Sequence, residues 1–203
     1  MDILDKKLDI LNAARECFAR FGYEKTTLDD IGKIVGLNKA SLYYYYNSKD
    51  ALFSEVIARE IEEAIQVFRA KIEPLPNCRD KILTYLRERL RYMKHLTSVH
   101  HVTMETMRKA QPTLALLFKD ILAKESAFIE GILLKGIEQG DFKPCDTKRV
   151  AHSIFTVMDA VKRNAFQGTD ARFVDKIDMT AVEEEVAFTV ALILDGLRKN
   201  PNE

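Results

Sequence analysis

Apolar side chains recur every three or four residues through most of this chain, the spacing that lines one face of an α-helix. The first stripe is Ile3, Leu4, Leu8, Leu11, Ala14, Cys17, Phe18 and Phe21, and Gly22 ends it. A second, about two turns long, holds Leu28, Ile31 and Ile34. Thr27 and Asp30 are spaced as a capping box before it, and Gly36 is placed to take the left-handed position after its last turn. Asn38 is a good N-cap for a third helix carrying Leu42 and Tyr46 one turn apart. Ser48 caps a fourth, with Asp50 near the positive end of its dipole. Its stripe of Leu52, Val56, Ile57, Ile61, Ile65 and Phe68 runs on until Pro74 and Pro76 forbid continuation.

Beyond the prolines the same spacing predicts helices over about 79–97, 101–110, 112–139, 147–167 and 181–199. Asn77 reads as a cap, Pro112 as a first helical residue, Gly140 and Gly168 as stops, and Thr180 with Glu183 as a capping box. Composition agrees: 8 Gly, 5 Pro and no Trp in 203 residues favour long helices over a turn-rich sheet protein. The expected fold class is all-α.

At 47% apolar and 31% charged residues the chain has room for one large or two modest cores, and disordered or fibrous classes are excluded. The longest strongly apolar run, Ala187 to Leu194, falls far short of the roughly 20 residues that cross a bilayer. The amino-terminal "MDILDKKLDIL" lacks the basic start and apolar stretch of a secretory signal, so a cytoplasmic protein without a membrane partner is expected. Cys17, Cys78 and Cys145 form no C-x-x-C pair and read as reduced packing residues. His95, His100, His101 and Glu105 invite a metal reading, but neighbouring histidines point to different faces and no third ligand has suitable spacing, so no metal is expected. Neither a nucleophile elbow nor a phosphate-binding glycine loop is present, and neither an enzyme nor a cofactor is expected.

Charge is balanced at 31 basic and 31 acidic side chains, so a polyanionic partner must be argued from local pattern. The local pattern is a short helix, a tight glycine turn and a second short helix, the helix-turn-helix plan. The second helix offers Lys39, Ala40, Ser41, Tyr43, Tyr44 and Tyr45 without a single carboxylate, so it can approach phosphates. Successive helical residues turn by about 100°, so Tyr46 can join Leu42 in the core while its three neighbours cannot all follow.

The stretch "ILNAARECFARFGYEKTTLDDIGKIVGLNKASLYYYYNSKDALFSEVI", Ile10 to Ile57, resembles the DNA-binding domain of the TetR family of bacterial transcriptional regulators. The resemblance implies three amino-terminal helices in a DNA-binding domain at residues 1–50. A helix over 48–72 would join it to a larger helical ligand-binding and dimerisation domain at 73–203. Carried over by position, it makes Lys39 to Tyr45 the recognition helix. Tyr43 and Tyr45 would lie near phosphates, Lys39, Ala40 and Tyr44 near base edges, and Asn38 and Ser41 at the start of the same surface. Thr27 and Lys49 would clamp the DNA backbone from two helix N-termini, where free N–H groups and the dipole favour phosphate. The chain departs from the family pattern at Ala40, often Gly, at Asn38, commonly Ser, and at Tyr45-Tyr46, commonly His-Phe. Gly32 stands where Ala is usual and weakens the second helix by about 1 kcal/mol; nothing in the sequence accounts for it.

Two carboxy-terminal helices are too apolar for one contact. In 147–167, Val150, Ile154, Val157 and Val161 make one stripe and Ala151, Phe155, Met158 and Ala165 another. In the last helix Val182, Val186, Phe188, Val190, Leu192, Ile193, Leu194 and Leu197 surround most of the circumference, which points to a second subunit. The resemblance implies a homodimer through these last two helices, and hence a palindromic double-stranded DNA operator. It also implies a small-molecule effector pocket, for which Met93, Met104, Met107, Phe118, Phe128, Phe155 and Met158 are candidates, though residues of this kind at helical spacing also suit plain core. The function expected is a ligand-responsive repressor. The other readings are a small-molecule carrier with the helix-turn-helix as scaffold, and an all-α enzyme.

Overall fold

A computed structural model of the chain describes residues 3–167 and 173–199, without the side chains of residues 3, 4, 107–118 and 175. Among the described residues eight helices follow in order: α1 (Ile3–Lys25), α2 (Leu28–Ile34), α3 (Lys39–Tyr45), α4 (Lys49–Ile72), α5 (Cys78–Val99), α6 (Met104–Glu138), α7 (Thr147–Gln167) and α8 (Met179–Gly196), with a 3₁₀ turn at Val174–Lys176 before the last. Extended pairing among the described residues is limited to two isolated bridges, Thr103 with Phe173 and Phe142 with Arg198. The fold is all-α, and no described helix is long and apolar enough to cross a membrane.

Several boundaries differ from those the sequence predicts. The helices expected over 101–110 and 112–139 are one, the 35-residue α6, with Pro112 in its interior. A proline removes one hydrogen bond and costs about 3 kcal/mol, a local penalty that cooperative propagation along a long helix can absorb. α8 begins at Met179, and its cap is Asp178, whose carboxylate accepts from Thr180 N at 3.0 Å and Ala181 N at 3.3 Å. The Thr180–Glu183 box does not form, because Glu183 instead takes the Arg91 guanidinium at 3.0 Å. Gly22 breaks α1 at φ 78 and helical turns resume through Lys25. Leu8, Phe21 and Ile34, assigned above to apolar stripes, are exposed, and Ile10 and Ala13 are buried instead. The stop expected at Gly168 lies outside the described residues.

The chain packs as two compact units, the first from Met1–Glu63, Lys94–Lys119 and Ala171–Lys176, the second from Ala64–Met93, Asp120–Asp170 and Ile177–Glu203. In the first, Phe18 meets Phe53 edge-on at 5.0 Å, Tyr23 lies 4.8 Å from Phe53, and His100 closes on the same ring at 5.9 Å. His100 is fully buried with Nε2 2.7 Å from Glu60, whose other oxygen takes Arg15 at 2.6 Å. That histidine therefore serves a hydrogen-bonded network with Glu60 and Arg15. Among the described residues no group of three His, Cys, Asp or Glu is placed to hold a metal ion.

The second unit buries Ile82, Leu86 and Leu90 of α5 with Ile129 and Leu133 of α6, Ala151 and Ile154 of α7, and Val182, Val186, Val190 and Leu194 of α8. Each such side chain contributes on the order of 1.5–3 kcal/mol on burial. Gly136 is fixed by this packing, since a Cβ there would lie 2.4 Å from the Phe142 ring.

Gly32 also has a physical reason. The turn after α2 folds back so that Leu37 N donates to Gly32 O at 2.8 Å, and a Cβ on residue 32 would sit 2.7 Å from the Leu37 carbonyl oxygen. Backbone cannot swing aside as a side-chain tip can. Gly32→Ala is therefore expected to lower stability by about 1–3 kcal/mol despite its better helix propensity. A reduced midpoint in urea unfolding at unchanged slope checks this, and a raised midpoint refutes it.

Candidate nucleic-acid interface and effector region

The carbonyl groups around the break at Gly22 and at the end of α1 draw side-chain donors from outside the regular helix. Thr26 Oγ1 donates to Gly22 O at 2.8 Å and to Cys17 O at 3.1 Å. Lys49, at the start of α4, donates its ammonium to Tyr23 O at 2.9 Å and Thr26 O at 3.1 Å, and lies 4.2 Å from the Tyr23 ring centre. The Tyr23 hydroxyl donates to Asp50. Burial first, and then Asp50, pushes that hydroxyl well above the usual tyrosine range, so it stays a donor.

Thr27 caps α2 as expected. Its Oγ1 accepts from Asp30 N at 3.2 Å, and Asp30 accepts from Thr27 N at 3.0 Å and Thr27 Oγ1 at 2.6 Å. The Thr27 hydroxyl and then its N–H hold the Asp30 carboxyl below its ordinary range, so the box is complete at neutral pH and is lost as pH falls through that lowered value. Lys6 donates to Val35 O, the C-cap of α2, at 2.7 Å, and Gly36 turns the chain at φ 67. Asn38 Oδ1 then accepts from Ser41 N at 2.8 Å and starts α3.

The four tyrosines separate as helical geometry requires. Tyr46 is buried beneath the Lys7 ammonium, 5.2 Å from its ring centre, and Leu42, one helical turn earlier, is buried too. Tyr44 is 77% exposed, Tyr43 is exposed, and Tyr45 is half-buried with its ring edge-on to Tyr44 at 5.3 Å. Lys39 and Ala40 are exposed and Ser41 is half-buried, so α3 presents a face with hydroxyls and one ammonium and no carboxylate. Of the two expected clamps, Thr27 has its polar atoms engaged by Asp30, and Lys49 has two of its three N–H groups engaged by carbonyls.

Of the effector candidates, the second unit brings Phe128, Phe155 and Met158 around a buried charge pair. Arg89 Nε donates to Glu125 at 2.7 and 3.0 Å, its guanidinium lies 5.7 Å from the Phe155 ring centre, and Nη1 is 3.9 Å from Met158 Sδ. Tyr85 donates to Glu125 at 2.8 Å, with Phe128 5.3 Å from its ring. Glu125 has no exposed surface. Lys162 pairs with Asp159 at 2.6 Å, and burial, followed by repulsion from Arg89, holds it below the ordinary lysine range. Met93 belongs to the second unit and Met104 to the first, both half-buried. Met107 and Phe118 have side chains outside those described.

Arg89, Glu125 and Lys162 were not anticipated, although a signal existed. Arg89 continues the Ile82, Tyr85, Leu86 stripe and Glu125 lies one turn from Ile121 and Ile129, so both are charges at core positions of their helices.

A helix-turn-helix with an uncharged-to-basic second helix, carried on a large helical domain, defines the class of DNA-binding transcriptional regulators. Comparison with known proteins agrees. Residues 10–56 match the family model described as bacterial regulatory proteins, tetR family, and residues 57–192 match that of the YsiA-like protein C-terminal region. The chain belongs to the TetR family, a family of regulators and not of enzymes. It is similar to the HTH-type transcriptional regulator RutR of Escherichia coli, 25% identical over 205 residues covering 95% of this chain and 91% of that protein. A transcriptional regulator from Cytophaga hutchinsonii has the same fold, with TM-score 0.72 at 24% identity over 94% of this chain and 97% of that one. The regulator FadR of Bacillus subtilis, solved in complex with stearoyl-CoA, aligns with TM-score 0.59 at 19% identity over 91% and 97% of the two chains.

Removing one partner of a buried ion pair leaves the other uncompensated, at about 3–5 kcal/mol. Glu125→Ala should destabilise the protein by that amount, whereas the double change Arg89→Met with Glu125→Leu should recover most of the loss. Denaturant unfolding of the three proteins measures both, and equal losses in the single and double variants would exclude an ion pair as the cause.

Proposed function

We propose that the chain is a repressor that binds a palindromic operator as a homodimer and is released by a small-molecule effector. The observation that carries the DNA reading is the exposed, carboxylate-free face of α3, headed by Tyr44 and Lys39. In this reading Lys39, Ala40 and Tyr44 reach base edges. Tyr43, Tyr45 and Ser41 stand at the backbone, and Asn38 holds the helix start. Lys49 offers phosphate its remaining N–H group, and Thr27 contributes through the surface of the α2 start.

The dimer reading is supported by α7 and α8. Val182, Val186, Val190 and Leu194 are buried inside the chain, yet on the opposite side of α8 Phe188 is 62% and Leu192 58% exposed. Val150, Val157 and Val161 of α7 are only half-buried. Large apolar side chains left out on two adjacent helices suit a partner of the same shape. The stearoyl-CoA complex of FadR supports a small-molecule effector for this chain too. α4 has residues in both units, so a ligand that prefers one of its positions would shift the population of DNA-competent dimers.

Duplexes selected from a random library test the DNA reading; failure to enrich any two-fold symmetric sequence sinks it. In anisotropy titrations Tyr44→Ala should relax sequence preference. Lys49→Ala should weaken all sequences alike, flatten the salt slope by about one unit and, having freed two carbonyls, also lower thermal stability. Phe188→Glu should yield monomers by sedimentation and reduce operator affinity at least tenfold. A dimeric Phe188→Glu protein with native affinity would move the interface elsewhere.

A further inference from the structure

Glycine inside a helix costs about 1 kcal/mol against alanine, so each one needs a reason. In α6, Gly136 has one, as the Phe142 ring occupies the place of its Cβ. Gly131, five residues earlier and also well inside the helix, has none of that kind, for a Cβ there would meet nothing within 4 Å. What its missing side chain does is leave open a cleft of about 280 Å³ between the end of α4, the start of α5 and α6.

The walls of this cleft combine two chemistries. Ile72, Phe128 and Ile132 are apolar, and Lys81 and Lys135 stand against a single lining carboxylate, Glu73. Both lysines line the same cleft as Cys78. Burial first, and then Asp141, pushes the Cys78 thiol up, while Lys81 and Lys135 both act on it in the opposite sense. Asp141 is turned to Cys78 N at 3.4 Å. A third cation stands behind the wall, since the Arg69 guanidinium lies 4.4 Å from the Phe128 ring centre and its buried Nε has no hydrogen-bond partner among the described residues. At roughly 30 Å³ for each water-sized group, the cleft has room for about nine. That places it at the small end of ligand pockets.

We infer that the cleft over Gly131 is a binding site for a small molecule with an apolar body of about eight carbons and one anionic end, the body lying on Phe128 and the anion held by Lys81 and Lys135. Of the residues named above as effector candidates, only Phe128 belongs to it. Binding here is independent of DNA; only its regulatory consequence rests on the repressor reading.

The test uses the full chain with phenylpropionate, phenylpropanol and phenylpropylamine, which share a body and differ in charge. By calorimetry phenylpropionate should bind at least tenfold tighter than the alcohol and the amine. Gly131→Phe, which fills open space and favours the helix, should remove phenylpropionate binding while leaving thermal stability and operator affinity at native values. Lys81→Gln combined with Lys135→Gln should bring phenylpropionate down to the level of the alcohol. The inference is overturned if phenylpropionate fails to bind, if the three probes bind equally, or if Gly131→Phe binds phenylpropionate unchanged. Loss of all sequence-selective DNA binding in the native protein, with phenylpropionate still bound, would count against the repressor reading and support the cleft.

Discussion

The exposed, carboxylate-free face of α3 depends on how one broken helix end is closed. Gly22 interrupts α1, and the carbonyl groups of Tyr23 and Thr26 are then satisfied by a single ammonium, Lys49, at the start of α4. A charge-assisted donor to carbonyls in a half-buried place is worth more than an exposed surface pair. It also fixes geometry: Thr27, which caps α2, follows directly on one of the two carbonyls, and Asp50, next to Lys49, accepts from the Tyr23 ring that the ammonium overlies. The start of α2, and through it the position of α3, is thus set from the N-terminus of α4. A lysine in that place has a structural task as well as any task on DNA.

The second unit is organised around the opposite problem, charge brought inside. Glu125 is fully buried, and Arg89 and Tyr85 compensate it with three donor contacts. Aromatic and sulfur side chains, Phe128, Phe155 and Met158, fill the space around that pair. In sequence those residues suit either an effector pocket or plain core, and their spacing says nothing of the ion pair they surround. Buried ions of this kind add little net stability against apolar replacements of the same volume.

Local features were legible in the residues themselves. Thr27, Asn38, Ser48 and Asn77 cap the helices the sequence assigned to them, and in each the short polar side chain meets a backbone N–H three residues on. The fate of Tyr46 was legible too, since helical phase forces it inward with Leu42. Where a competitor for the same N–H groups stood close by, the reading failed. Asp178 displaced Thr180 as the cap of α8, and Pro112 proved an interior residue of α6.

Hydrophobic period and capping chemistry act over one to four residues, so the sequence alone determined most of the helices, the turn at Gly36 and the carboxylate-free face of α3. Which apolar residues face inward, why packing demands glycine at 32 and 136 and leaves space at 131, and which charges are buried were decided only by tertiary structure. The reason is distance along the chain: Arg89 meets Glu125 36 residues away and Lys49 reaches back 26 residues to Tyr23. No periodicity in a helix encodes the identity of what will pack against it.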